Sequence, residues 1–345
     1  MSFSIAASSL FSASNIVVNF LRFFLINEVY GIEVFTFYTL WLVPFFIYIE
    51  YKNLYVDISR SKLDDNFSLG SGRRFSYTLL SLSLIVYVVY DLEYVALILI
   101  FISVIDGIIL SLTALRSSKK NWIILIIRCF SLLVLIVPKL IILYLFLSYI
   151  SVLYAYKGVE AESIKAFKKK MYLDKHIFVT ALAGRSREFL NILIFQIALQ
   201  GDQYFLIFML YKVMFNLAGF VYNTIRSTLK FDTTTLIDNI FYFFLSNKIV
   251  ISIISLLLLF FGGVYMFIIF LVLENLIMQL YLFSKYSTSN IILKSNIYAV
   301  TALVAMIGLY QATSGGINLI LFSLSPLFGG MVIMKDLTEQ QETNG

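Results

Sequence analysis

The chain has 345 residues, of which 60% are hydrophobic and only 13% charged, with a formal net charge of +6. A soluble globular chain carries about a quarter charged residues, so that class is excluded, and the basic residues sit in loops between apolar runs, which also excludes nucleic acid as a partner. One cysteine, Cys129, and one histidine, His176, exclude an internal disulfide and a multi-histidine metal centre, so no metal and no cofactor is expected.

Apolar runs long enough to cross ~30 Å of hydrocarbon recur from end to end. Open sheet edges cannot face lipid, so the expected fold class is all-α, a polytopic membrane protein of about twelve transmembrane helices in two six-helix lobes. The N-terminal lobe, 1–156, holds spans near 3–24, 34–50, 75–90, 94–113, 122–137 and 140–156. Residues 157–176 form a cytoplasmic hinge loop with six lysines, Lys157, Lys165, Lys168, Lys169, Lys170 and Lys175. The C-terminal lobe, 177–335, holds spans near 177–200, 204–225, 247–262, 264–284, 291–310 and 316–334. Between its third and fourth spans, Gly262-Gly263 is expected to make a tight hairpin, because one helix over Ile249–Phe283 would be roughly 50 Å long. The tail, 336–345, is polar and expected to be disordered. No cleavable signal peptide is expected, since the N-terminus lacks a basic leading region.

Twenty of the 26 basic residues fall in alternate loops or the tail. The intervening loops carry acids (Glu28, Glu33, Asp91, Glu93, Asp202) or nothing, with Lys139 the exception. The bias survives through all the spans only with an even count, and it places both termini in the cytoplasm. The outer loops are too short to hold a separate domain. A faint repeat supports two halves: Ile32–Val43 and Asp202–Val213, aligned from their first residues, share Phe35/Phe205, Leu40/Leu210, Val43/Val213 and the aromatic pair Trp41/Tyr211.

An ionisable side chain within a span needs a partner, a wet cavity or a route to the interface. The seventh span is the richest, with Thr180, Arg185, Arg187, Glu188, Asn191 and Gln196. Arg185, Glu188 and Gln196 share one side and Arg187 and Asn191 the other, so this helix is expected to line an interior cavity. The alternative is an amphipathic interfacial piece, with the span beginning at Phe189. Lys212 and Glu274 fall at matching depth, each about 10 residues from the outer side, and are expected to form one interacting unit, or else to serve substrate or a proton. Asp106 and Arg128 are expected to make a structural pair. Arg22, near the outer end of the first span, either snorkels to the interface or lines the outer mouth of a cavity. His176 is expected at the surface.

The stretch Asn19–Leu40, with its turn Glu28-Val29-Tyr30-Gly31 followed by an aromatic second helix, resembles the start of polysaccharide (O-antigen-type) flippases of the multidrug/oligosaccharidyl-lipid/polysaccharide exporter superfamily. Gly184–Leu229, with Asp202 at its outer turn, is similar to the seventh and eighth helices of that family. The chain is short for the family, and no Gly-rich end to the second helix is seen. The resemblance implies a multi-pass protein of the bacterial inner membrane, a transporter and not an enzyme. It would move a polyprenyl-diphosphate-linked oligosaccharide between leaflets by alternating access. Arg22, Arg185, Arg187 and Lys212 would then meet the diphosphate, for which arginine offers a rigid fork. Glu188 and Glu274 would bind a coupling proton or sodium ion, and membrane lipids and polysaccharide-assembly proteins are the further partners implied. The alternative class is a membrane polysaccharide polymerase or O-acyltransferase. A polymerase of this kind is expected to carry a large outer loop, and an acyltransferase a histidine base, for which His176 is badly placed.

Overall fold

A computed structural model describes residues 2–47, 50, 95–113, 118–155, 175–199, 201–228, 268–278, 281–282, 288–312 and 324–344. Among these residues the chain is helical and no strand occurs. The elements are α1 (Ser2–Phe45), α2 (Val95–Thr113), α3 (Ser118–Ile136), a 3-10 turn (Pro138–Leu140), α4 (Ile141–Ala155), α5 (Lys175–Ala198), α6 (Asp202–Thr228), α7 (Ile268–Met278), α8 (Ser289–Ala312) and α9 (Leu324–Asn344). Ala13–Phe45 and Ser289–Ala312 are long and apolar enough to cross a membrane, which is compatible with a membrane location. The spans expected near 75–90 and 247–262, the hairpin at Gly262-Gly263 and the hinge lysines before Lys175 lie outside the described residues.

α1 is two helical limbs rather than one rod, because Gly31 breaks it at φ 83° and ψ 167°. That backbone region is open to glycine alone, and a side chain there costs about 1–3 kcal/mol. No atom lies within 4 Å of the Cβ that Gly31 lacks, so strain is the whole penalty. Gly31→Ala is therefore expected to lower the thermal midpoint of the detergent-purified protein. Gly308→Ala, exposed about one turn before the end of α8 with equally open surroundings, should instead hold or raise it by removing a helical glycine. Equal shifts for both variants would contradict the break.

α1 is the central element. α1 packs against α2 and α3 from its own half of the sequence and against α5 and α6 from the other half, while α8 packs on α5 and α9. One continuous apolar core joins α1, α2, α3, α5, α6, α7 and α8, including Ile26, Phe35, Tyr38, Leu99, Leu135, Ile192, Phe208, Leu271 and Leu303. Many outward side chains are also large and apolar, such as Ile126, Ile142, Phe146 and Leu206, each more than half exposed. Apolar surface on that scale suits a hydrocarbon surround.

The two segments that echo each other in sequence touch each other in space. The rings of Phe35 and Phe205, at the same position of each segment, meet edge to face with centroids 5.2 Å apart. The chain also breaks at equivalent places. Gly31 and Gly201 are the two described glycines with positive φ, and each immediately precedes its echoing segment. Contact between equivalent positions is what a two-fold relation between the segments requires.

The tail departs from expectation. α9 continues through residues 335–344 as helix, so 336–344 is helical rather than disordered. Asp336 accepts the Tyr281 hydroxyl at 3.2 Å, and Lys335 faces Glu339 one turn on at 3.7 Å. These tether and extend a segment whose composition alone looks unstructured.

Candidate functional site

Two groups of charged side chains lie within the helices. The first sits between α1, α2 and α3. Asn15, Asn19 and Arg22 follow each other at spacings of four and three, which sets them on one stripe of α1. Arg128 of α3 reaches that stripe: its Nε donates to Asp106 Oδ2 at 2.7 Å, its Nη2 to Asn19 at 2.7 Å and its Nη1 to Asn15. Arg22 shares the same Asp106 oxygen at 2.8 Å and donates to Ser131 Oγ at 2.7 Å. Asp106, Arg128 and Arg22 are all buried. The cluster holds two guanidiniums and one carboxylate, with the amide oxygens of Asn15 and Asn19 serving Arg128, while Arg22 Nε is buried without an acceptor among the described residues.

The expected Asp106–Arg128 contact is thus present, and it has a third member. Arg22 neither snorkels nor lines an outer mouth. The first limb runs on to Tyr30, which leaves Arg22 roughly 13 Å short of the break along the axis. From there the nearest counter-charge is Asp106 rather than the interface.

The second group is built around α5. Its low-numbered face carries Arg185 and Glu188, one helical turn apart and paired with each other. Lys212 of α6 donates to Glu188 Oε1 at 2.8 Å, and Arg185 Nη2 donates to Glu50 Oε2, five residues beyond the end of α1, at 2.6 Å. Glu50, Arg185, Glu188 and Lys212 therefore form an alternating row from the chain just beyond α1 to α5 and α6. Phe46 stands beside it, with the Arg185 guanidinium 5.9 Å from its ring centroid. Farther along the same side, Gln196 donates to the Thr36 carbonyl at 2.8 Å, and the Thr39 and Tyr204 hydroxyls bond at 2.6 Å.

The opposite face of α5 presents Arg187 to Glu274 of α7, and the two are paired. Glu274 is buried against α9, so closely that a Cβ on Gly329 would overlap its Oε1 and lie 3.1 Å from Ser295 Oγ. Ser295 Oγ in turn donates to the Gly329 carbonyl at 2.8 Å.

The expected Lys212–Glu274 unit is not formed. Matching depth fixes one coordinate only. Lys212 turns to Glu188 and Glu274 to Arg187, so α5 supplies the partner of each. The two polar faces of α5 are both met by protein, as an interior helix requires, whereas an interfacial piece would leave one in water. Its first turn does face outward: Lys175 and His176 are exposed.

Glu50, Asn15, Asn19 and Ser295 are not singled out by the sequence reading. The stripe of Asn15, Asn19 and Arg22 is legible in the spacing. An acid ending an apolar run, as Glu50 does, is the available signal for the other. Among the described residues no group of histidine, cysteine and acidic side chains could hold a metal ion. Compared with family models, curated proteins and solved structures, the chain matches none.

Proposed function

We propose that the chain is a membrane transporter, a flippase of polyprenyl-diphosphate-linked oligosaccharide. In this reading about twelve spans form two six-helix lobes in a bacterial inner membrane, with both termini cytoplasmic. The observation that carries it is the row Glu50–Arg185–Glu188–Lys212. It spans helices from both halves of the sequence and keeps two cations within the apolar stretch of the chain.

A diphosphate leaving water needs donors that keep their charge, and charge-assisted bonds strengthen as the dielectric falls. Arg185 and Lys212 are held by carboxylates that a more highly charged ligand can outcompete. Arg187 and Glu274, on the far face of α5, form the second unit, where a coupling proton or sodium ion would act on Glu274. The Arg22–Asp106–Arg128 cluster draws its partners from α1, α2 and α3 among the described residues and is assigned to holding the N-terminal half together.

The test is transfer of a labelled polyprenyl-diphosphate oligosaccharide between leaflets of liposomes holding the purified protein. Arg185→Ala should transfer little. Arg185→Lys, which keeps the charge and loses the fork, should transfer an intermediate amount. Full transfer by Arg185→Ala at equal protein abundance would remove α5 from the mechanism, and no transfer by the unaltered protein would remove the flippase reading.

A further inference from the structure

The way Arg185 is shared leaves its guanidinium incompletely used. One terminal nitrogen, Nη1, serves Glu188 within the same helix, and the other, Nη2, serves Glu50. The Nε group is buried and finds no acceptor among the described residues. Nε–H and Nη2–H point the same way and make the edge on which a guanidinium takes a two-oxygen ligand. Glu50 meets that edge through one oxygen, Oε2, and only at Nη2. The edge that best fits a phosphate is therefore half-filled by a carboxylate.

Glu50 is also the member most able to leave. Its side chain is 32% exposed, against 17% for Arg185, 18% for Glu188 and 19% for Lys212. It lies five residues beyond the end of α1, whereas Glu188 is fixed in the middle of α5 between two cations.

We propose that Glu50 is a built-in competitor for an oxyanion of the phosphate or diphosphate class at Arg185, and that such a ligand binds by displacing the Glu50 carboxylate and taking both Nε and Nη2. This rests on the transporter reading above and adds the group that the ligand must expel. The displacement has a mechanical side. Glu50 belongs to the first half of the sequence and Arg185 to the second, so expelling it removes an ion pair that ties the chain just beyond α1 to α5. Arrival of the anion and loss of that tie are then the same event. Phe46, beside the guanidinium, keeps one side of the site apolar and favours a ligand that brings hydrocarbon with its charge.

The experiment is calorimetric titration of the full-length protein in phosphatidylcholine nanodiscs, with inorganic diphosphate in one arm and farnesyl diphosphate in the other. Glu50→Gln keeps the shape and removes the competing charge, so it should bind both probes about tenfold more tightly than the unaltered protein. Arg185→Ala should lose most binding. Tighter binding of farnesyl diphosphate than of inorganic diphosphate would assign the anion to a lipid. Equal affinities would assign it to a free anion and sink the lipid-linked reading, while leaving the competition intact.

Unchanged affinity in Glu50→Gln, with loss in Arg185→Ala, would overturn the competition and keep the anion site. Binding by Arg185→Ala equal to the unaltered protein would overturn both. Should Glu50→Gln fail to yield monodisperse protein, Glu50→Asp serves instead. One methylene shorter, it cannot hold the contact to Nη2, and a few-fold gain in affinity is expected, with no gain counting against the proposal.

Discussion

Asp106→Ala is expected to leave almost no folded protein in the membrane fraction. The carboxylate is the counter-charge of both Arg22 and Arg128, and all three are buried. Removing one member of a buried ion pair costs about 3–5 kcal/mol, because the partner stays behind uncompensated. Here two partners stay behind, so the loss should sit at or above the top of that range. Stability of a whole domain is only about 5–15 kcal/mol, which makes such a loss severe. The check is fluorescence-detected size exclusion of a tagged protein, followed by its half-life at a fixed raised temperature. Asp106→Ala with Arg128→Met should recover part of the abundance, since it removes one orphaned charge. An Asp106→Ala variant with normal abundance and normal half-life would show that the cluster does not hold the N-terminal helices.

The second large effect concerns which charges are coupled across α5. Arg187→Ala leaves Glu274 buried without its cation, and Glu274→Ala leaves Arg187 without its anion. Each single change should be strongly destabilising, while the double change should cost less than their sum by about 0.5–3 kcal/mol. Lys212→Ala with Glu188→Ala should show coupling of the same sign. Lys212→Ala with Glu274→Ala should be additive within about 0.3–0.5 kcal/mol, because those two residues answer to different faces of α5. The same half-life assay reads all three cycles. Coupling between Lys212 and Glu274, and none between Arg187 and Glu274, would reject this arrangement of partners.

That contrast shows what the sequence can carry. Depth is readable, because each residue advances a helix by about 1.5 Å and the apolar runs define the ends. Azimuth is readable on a single helix, which is how spacing alone separates the two polar faces of α5. What fails is the relation between helices. Lys212 and Glu274 share a level and point at different neighbours, and nothing in either span states which helix stands between them. Asp106 and Arg128 pair as their sequence suggests because they lie on successive spans, where a short loop leaves few choices. Arg22 is misjudged through a boundary, since ending the first span at residue 24 rather than at Tyr30 puts a deep arginine near the surface. Glu50 passes unnoticed because an acid at the end of an apolar run reads as a solvated terminus unless its partner is known. The segment after Lys335 is misread because helix there depends on a tether, Tyr281 to Asp336, supplied by another part of the chain.

The pairing of two segments so distant in the chain also bears on how the protein is made. At ribosomal rates of about 5–20 residues per second, the second limb of α1 waits roughly 10–30 s for the helices it will embrace. Through that interval the Thr39 hydroxyl has no Tyr204, Phe35 no Phe205 and Glu50 no Arg185. The Arg22–Asp106–Arg128 cluster, by contrast, has all its members once Arg128 has been added. The first half can thus pair its buried carboxylate early, with one unfinished side held open for its counterpart. Nothing in those later contacts calls for a continuous backbone between the halves. Two separately translated pieces, divided within the lysine-rich stretch, would therefore be expected to find each other and assemble when made in the same cell.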